Sequence, residues 1–139
     1  MCGICGYVGV REPGLLERMT GALSHRGPDG FGYFQCGDVG LGHRRLSIID
    51  LEGGRQPIEN DDGSLVLIFN GEIYNYQELR QGLVERGHEF RTRSDTEVIL
   101  HLYEEMGAEC LRHLLGMFTI AIWDKRQRQL FLARDRLGS

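Results

Sequence analysis

No apolar run in this sequence is longer than a strand, and that limits the folds open to it. The longest, Met117 to Trp123, falls far short of the ~20 residues a membrane helix needs. A second run, Leu65 to Phe69, has the Leu, Val, Ile and Phe density of a buried strand. Between the two lie helical patterns. Asn75 with Glu78 resembles an N-cap and N3 pair opening a helix to about Arg86, with Gly87 as its C-cap. Ser94, Asp95, Thr96 and Glu97 read as a capping box ahead of a helix over Val98 to Met106, which Gly107 closes.

The flanks read in the same way. Ile4 to Val10 is a glycine-rich strand, followed by a helical pattern through Leu15, Leu16, Met19, Ala22 and Leu23. Phe31 to Cys36 and Val39 to Ile49 suggest a hairpin, and Glu52 to Gly63 a loop. After a short amphipathic piece, Cys110 to Leu115, a second hairpin joins Met117 to Asp124 with Leu130 to Ala133 through the turn Lys125 to Arg128. Strands, then two helices, then strands predict α+β layers in one domain. A chain of 139 residues can bury about 68% of its unfolded surface, enough for a core without disulfide staples.

The net charge of -4 and pI of about 5.7 argue against a phosphate-collecting surface and for a small-molecule partner. The first ten residues have neither a basic segment nor a continuous apolar stretch, so neither a signal peptide nor an anchor is expected. With cysteines at positions 2, 5, 36 and 110, reduced thiols in a cytoplasm are the expectation.

Several residues can carry chemistry. Cys2 follows the initiator Met directly. Removal of Met1, usual before a small residue, would leave a thiol and a free α-amine on one residue, and an amine of pKa about 7.7 to 8.0 can take the thiol proton. The competing reading is a small hydrophobe at the start of a strand. Cys2 and Cys5 also match Cys-x-x-Cys, a zinc or redox pattern, but no second pair follows and His25, His43, His88, His101 and His113 lack paired ligand spacing. A Cys–His dyad with His25 or His43 stays open. Of Arg44 and Arg45, neighbours on a strand, only one can face a site, where it could grip a carboxylate; both could equally be solvated. Asn70–Gly71 is a hairpin-turn signal, yet a side-chain amide beside a closely approachable glycine N–H also supplies two oxyanion donors. Glu72 and Asp95 could hold an ammonium; for Asp95, capping alone is adequate.

Taken together the chain resembles the class II glutamine amidotransferases of the N-terminal nucleophile hydrolase superfamily, most closely the glutaminase half of asparagine synthetases. The resemblance runs through Met1 to Ile4, His25 to Gly30, Gly42 to Asp50, Phe69 to Asn75, Ser94 to Ile99, Gly116 to Phe118 and Ala133 to Gly138. It implies a four-layer α-β-β-α sandwich of two mainly antiparallel sheets. It implies that Cys2 attacks the glutamine side-chain amide, that Asn70 and the Gly71 N–H hold the oxyanion, that Arg45 takes the α-carboxylate, and that Glu72 and Asp95 take the α-ammonium. Ile48 would line the glutamine site, with supporting roles for Arg26, Asp29 and Tyr74. No cofactor or metal is expected in residues 1–139; ATP and magnesium belong to the family's synthetase domain, which has no counterpart in these residues. Family sequences continue past the Arg-Asp-Arg-Leu-Gly motif, so a C-terminally truncated domain is expected. The ammonia would serve ATP-dependent asparagine synthesis. An inactive fragment or interaction module, and an amidotransferase for another acceptor, remain as alternatives. A homodimer is compatible with all of these.

Overall fold

The computed structural model describes residues 2–46 and 55–137. In chain order these form β1 (Gly3–Val8), α1 (Leu15–Ala22), β2 (Gly30–Cys36), β3 (Val39–Arg45), β4 (Ile58–Glu59), β5 (Leu65–Ile73), α2 (Tyr76–Glu85), α3 (Asp95–Met106), a 3-10 helix (Gly107–His113), β6 (Gly116–Asp124) and β7 (Gln129–Arg134). Two sheets result, ordered β1-β3-β2 and β4-β5-β6-β7, with antiparallel pairing throughout both.

Strand alternation sorts the side chains into layers. Val39 and Leu41 of β3 meet Val66 and Ile68 of β5 and Ala121 and Trp123 of β6 in a core between the sheets. The alternate residues of the second sheet, among them Leu67, Phe69, Ile120 and Ile122, pack with Leu83 of α2 and Val98, Ile99 and Leu102 of α3. On the far side of the first sheet α1 lies against β3 so closely that a Cβ on Gly42 would sit 2.3 Å from Thr20 Oγ1. The stacking is helix, sheet, sheet, helix, the sandwich that the sequence resemblance implied.

Three local expectations are corrected. Asn70–Gly71 is not a turn: β5 runs through both to Ile73, with Asn70 opposite Thr119 and Gly71 opposite Phe118. The signal misleads because Gly71 is needed for another reason. Its φ of 140° suits glycine alone, and a Cβ would lie 1.9 Å from the Met117 carbonyl oxygen. Asn75 occupies the N-cap of α2 without a side-chain capping bond. Its amide instead donates to the His113 carbonyl at 2.8 Å and accepts from Leu115 N–H at 3.1 Å, which ties the start of α2 to the start of β6. Ser94 likewise makes no capping bond, and α3 starts at Asp95. Glu97 reaches past Ser94 to accept from the N–H groups of Arg91 at 2.9 Å and Thr92 at 2.8 Å.

Candidate active site

β5 is longer than its edge partner, and this difference builds the site. β4 covers only Val66 and Leu67, so the outward backbone groups farther along β5 need other partners. Phe69 N–H donates to Gln56 Oε1 at 2.6 Å, and the Phe69 carbonyl accepts from His43. Ile73 N–H donates to Asp95 Oδ2 at 3.0 Å. Gly71 lies between them. Phe118, opposite it, turns its own backbone groups toward Asp135, accepting from Asp135 N–H at 3.0 Å and donating to Asp135 Oδ1 at 3.4 Å. Gly71 and Phe118 therefore form a non-hydrogen-bonded pair, and the Gly71 N–H points away from β6 to the open edge.

Alternation along β5 puts Asn70 and Glu72 on the same face as Val66 and Ile68, toward the first sheet. The first sheet answers with Cys2 and Arg45. Ile4 of β1 packs on the core between the sheets, so Cys2, two residues earlier, shares its face. Arg45 shares the face of Val39 and Leu41 for the same reason. The register pairs Gly3 with Arg44, which sets Cys2 beside Arg45. The Cys2 thiol accepts from Leu46 N–H at 3.4 Å and lies 3.9 Å from the Leu46 carbonyl. The nucleophile candidate and the carboxylate-binding candidate thus share one of the two surfaces that face each other between the sheets, and the amide lies on the other, with the glycine N–H at its open edge.

Asp95 joins them from the first residue of α3. Burial, followed by the negative charge of Glu72, raises its carboxyl above the usual carboxylate range. A half-buried carboxylate strained by a second one is a site that an ammonium would relieve. Ile48 lies outside the described residues.

Alternatives left open by the sequence are resolved here. Cys5 points to the other face of β1, 3.4 Å from Thr20 Oγ1, so Cys2 and Cys5 lie on opposite faces and are not placed to share a metal or a disulfide. Arg44 is the outward arginine, stacked 5.4 Å above the Phe31 ring. His25 is exposed on the turn after α1. His43 is 1% exposed, and burial lowers its pKa to about 4, which makes it a poor acceptor for a thiol proton. Neither histidine suits a Cys–His dyad, whereas the α-amine alternative is untouched by these findings.

The sequence reading missed His43 and Gln56 as organisers of this edge. Both act on Phe69 from distant chain positions, and no local pattern marks such contacts. A cleft of about 790 Å³ opens beside the site, with Asp29, His43, Arg45, Arg55 and Gln56 on its wall. It adjoins the site at Arg45, whereas Cys2, Asn70 and Asp95 do not line it.

Comparison with known proteins gives the family. The glutamine amidotransferase domain family matches residues 1–139. Glutamine-hydrolyzing asparagine synthetase 2 of Bacillus subtilis is 48% identical over 99% of this chain and 19% of its own length. Glutamine-hydrolyzing asparagine synthetase 1 of Arabidopsis thaliana is 43% identical over 99% of this chain and 24% of its own. The chain therefore spans about a fifth to a quarter of these relatives. Among solved structures, the glutamine phosphoribosylpyrophosphate amidotransferase of B. subtilis superposes with a TM-score of 0.82 at 27% identity, over 99% of this chain and 38% of that one. An allosteric regulatory enzyme of purine biosynthesis gives 0.62 at 31% identity, over 73% and 24%. Among the described residues no helix is long and apolar enough to cross a membrane. The chain belongs to the glutamine amidotransferase domain family, with the N-terminal nucleophile hydrolase fold.

Proposed function

We propose that the domain hydrolyses glutamine to glutamate and ammonia through a thioester on Cys2, and that the ammonia feeds ATP-dependent asparagine synthesis by a synthetase domain in a longer protein. The observation that carries this reading is the placing of Cys2 and Arg45 on one of the two facing sheet surfaces and of Asn70 and Glu72 on the other, with the Gly71 N–H turned to the open edge. With Met1 removed, the α-amine of Cys2 takes the thiol proton, and sulfur attacks the amide carbon of glutamine. Negative charge on the carbonyl oxygen is held by the Asn70 amide and the Gly71 N–H, each such donor contributing typically ~2.7 to 4 kcal/mol. The intermediate collapses as the nitrogen takes the proton and leaves as ammonia. Water then cleaves the thioester, releasing glutamate and restoring the thiol. Arg45 grips the α-carboxylate bidentately, while Glu72 and Asp95 hold the α-ammonium.

The identity of the relatives, above 40% over nearly the whole chain, supports asparagine as the product, with ATP and magnesium used outside these residues. Four free thiols suit a cytoplasmic setting.

Intact mass after incubation with 6-diazo-5-oxo-norleucine, an electrophilic glutamine analogue, tests the mechanism. One adduct on Cys2 of protein lacking Met1, absent in Cys2→Ser, is the expected result. Glutamine turnover that survives Cys2→Ser would overturn it. An N-terminal extension should abolish turnover with every side chain intact.

A further inference from the structure

On the outer helical layer two histidines that the sequence left unpaired come together. His88 lies just after α2; on α3, His101 is buried and Glu104, three residues on, stands at the exposed edge. His88 Nδ1 is 3.2 Å from His101 Nδ1, and His101 Nδ1 is 3.2 Å from Glu104 Oε1. The three atoms all lie within 4.8 Å of one another. Tetrahedral zinc has Zn–N and Zn–O bonds of about 2.0 to 2.2 Å, which puts neighbouring ligand atoms about 3.3 Å apart. Two edges of this triangle already have that length. His101 and Glu104, three apart on the helix, project side by side.

The far nitrogens of both rings are committed. His88 Nε2 is 2.7 Å from Glu105 Oε2, and His101 Nε2 is 3.1 Å from Glu97 Oε2. An ionised carboxylate only accepts, so each Nε2 carries a hydrogen. Each Nδ1 of a neutral ring is then a lone pair, and the two lone pairs face each other beside a carboxylate oxygen. Only a cation between them reconciles that arrangement, either a shared proton or a metal ion. Carboxylates behind both imidazoles are the outer shell that fixes tautomer and ring orientation at metal centres. Glu97 is itself anchored by Arg91 N–H, Thr92 N–H and Thr92 Oγ1, and Glu105 by Arg86 Nε at 3.0 Å. The Phe90 ring closes one side edge-on, 4.7 Å from His101.

We infer that His88 Nδ1, His101 Nδ1 and Glu104 Oε1 form a binding site for a borderline divalent transition ion, of which zinc is the representative. This site departs from the sequence expectation of no metal in the domain. Two imidazoles with one carboxylate are a zinc-type donor set rather than one for magnesium or calcium. Glu104 stands at the solvent edge, its side chain 31% exposed, which leaves a fourth position for water. The ion clamps the segment after α2 to α3, away from the sheet ends where Cys2 and Arg45 sit.

Zinc titration of the 139-residue protein by calorimetry, paired with visible spectroscopy of cobalt(II), tests the assignment without reference to glutamine turnover. One equivalent of zinc should bind, raising Tm, and cobalt should give tetrahedral d–d bands without the near-ultraviolet charge-transfer band of a thiolate ligand. His88→Ala and Glu104→Gln should each weaken zinc binding at least tenfold. Glu105→Gln should weaken it roughly ten- to a hundredfold, as outer-shell losses do. His113→Ala should leave binding unchanged. Glu104 is exposed enough for its Gln variant to keep the fold, which far-ultraviolet circular dichroism checks. Absence of stoichiometric uptake, a thiolate band, or binding indifferent to both His88→Ala and Glu104→Gln would overturn the site and leave a proton as the shared cation.

Discussion

His43 concentrates the physical demands of this site in one side chain. It gives a hydrogen to the Phe69 carbonyl, while its Nε2 is buried without a partner, so the ring is neutral when folded. Its native pKa of about 4 lies below the ordinary 6.5, so between those values the unfolded chain binds a proton that the native state refuses. Stability is therefore full above pH 6.5 and falls as pH drops toward 4, by up to about 3 kcal/mol. Urea unfolding across that range should show the slope, and His43→Asn should flatten it. Asp95 shifts the other way, and the ammonium-binding role proposed for it needs the ionised form. Glutamine affinity should accordingly fall as pH drops through the raised Asp95 pKa, which calorimetric titration at several pH values measures. Gly71→Ala should cost about 3 kcal/mol or more through backbone strain and collision with Met117, read as a lower urea midpoint. At this scale the sequence was informative for Cys2, Arg45, Asn70 and Asp95, whose residue types suit the chemistry assigned to them. It offered His43 only as a dyad partner and gave no sign of Gln56, because both work by bonding to Phe69, far from them along the chain.

Elements were legible where periodicity decides them and misread where one residue serves two masters. The positions of α1 and the β6–β7 hairpin follow from apolar patterning, and those of α2 and α3 from the residue types at their ends. The capping bonds themselves do not form, because other partners take the side chains: Asn75 bonds to His113 and Leu115, and Glu97 to the chain at Arg91 and Thr92. This has a discriminating consequence. Serine is as good an N-cap as asparagine, yet it cannot span from α2 to β6. Asn75→Ser should therefore destabilise about as much as Asn75→Ala, by ~1 to 2 kcal/mol. Recovery of stability in Asn75→Ser, measured by urea unfolding, would restore the capping role.

The whole molecule is organised around the second sheet, which walls two cores. Val66 and Ile68 look toward the first sheet, and Leu67 and Phe69 toward the helices. Truncation on either side, Ile68→Ala or Leu100→Ala, should cost about 2 to 5 kcal/mol. Trp123, in the core between the sheets, and helical circular dichroism should still report coincident transitions; separate midpoints would show that the cores melt independently. The layered fold was readable from the order of strands and helices, because each face must be covered. The pairing of sheet ends was not, since it joins residues far apart in sequence. That separation also sets a timetable during synthesis. Cys2 lies just before β1, whereas the amide, glycine and carboxylate proposed to work with it arrive later, with β5 and α3. Under the proposed mechanism, a chain grown only through β3 carries the thiol without its oxyanion donors, and glutamine hydrolysis waits for the second sheet.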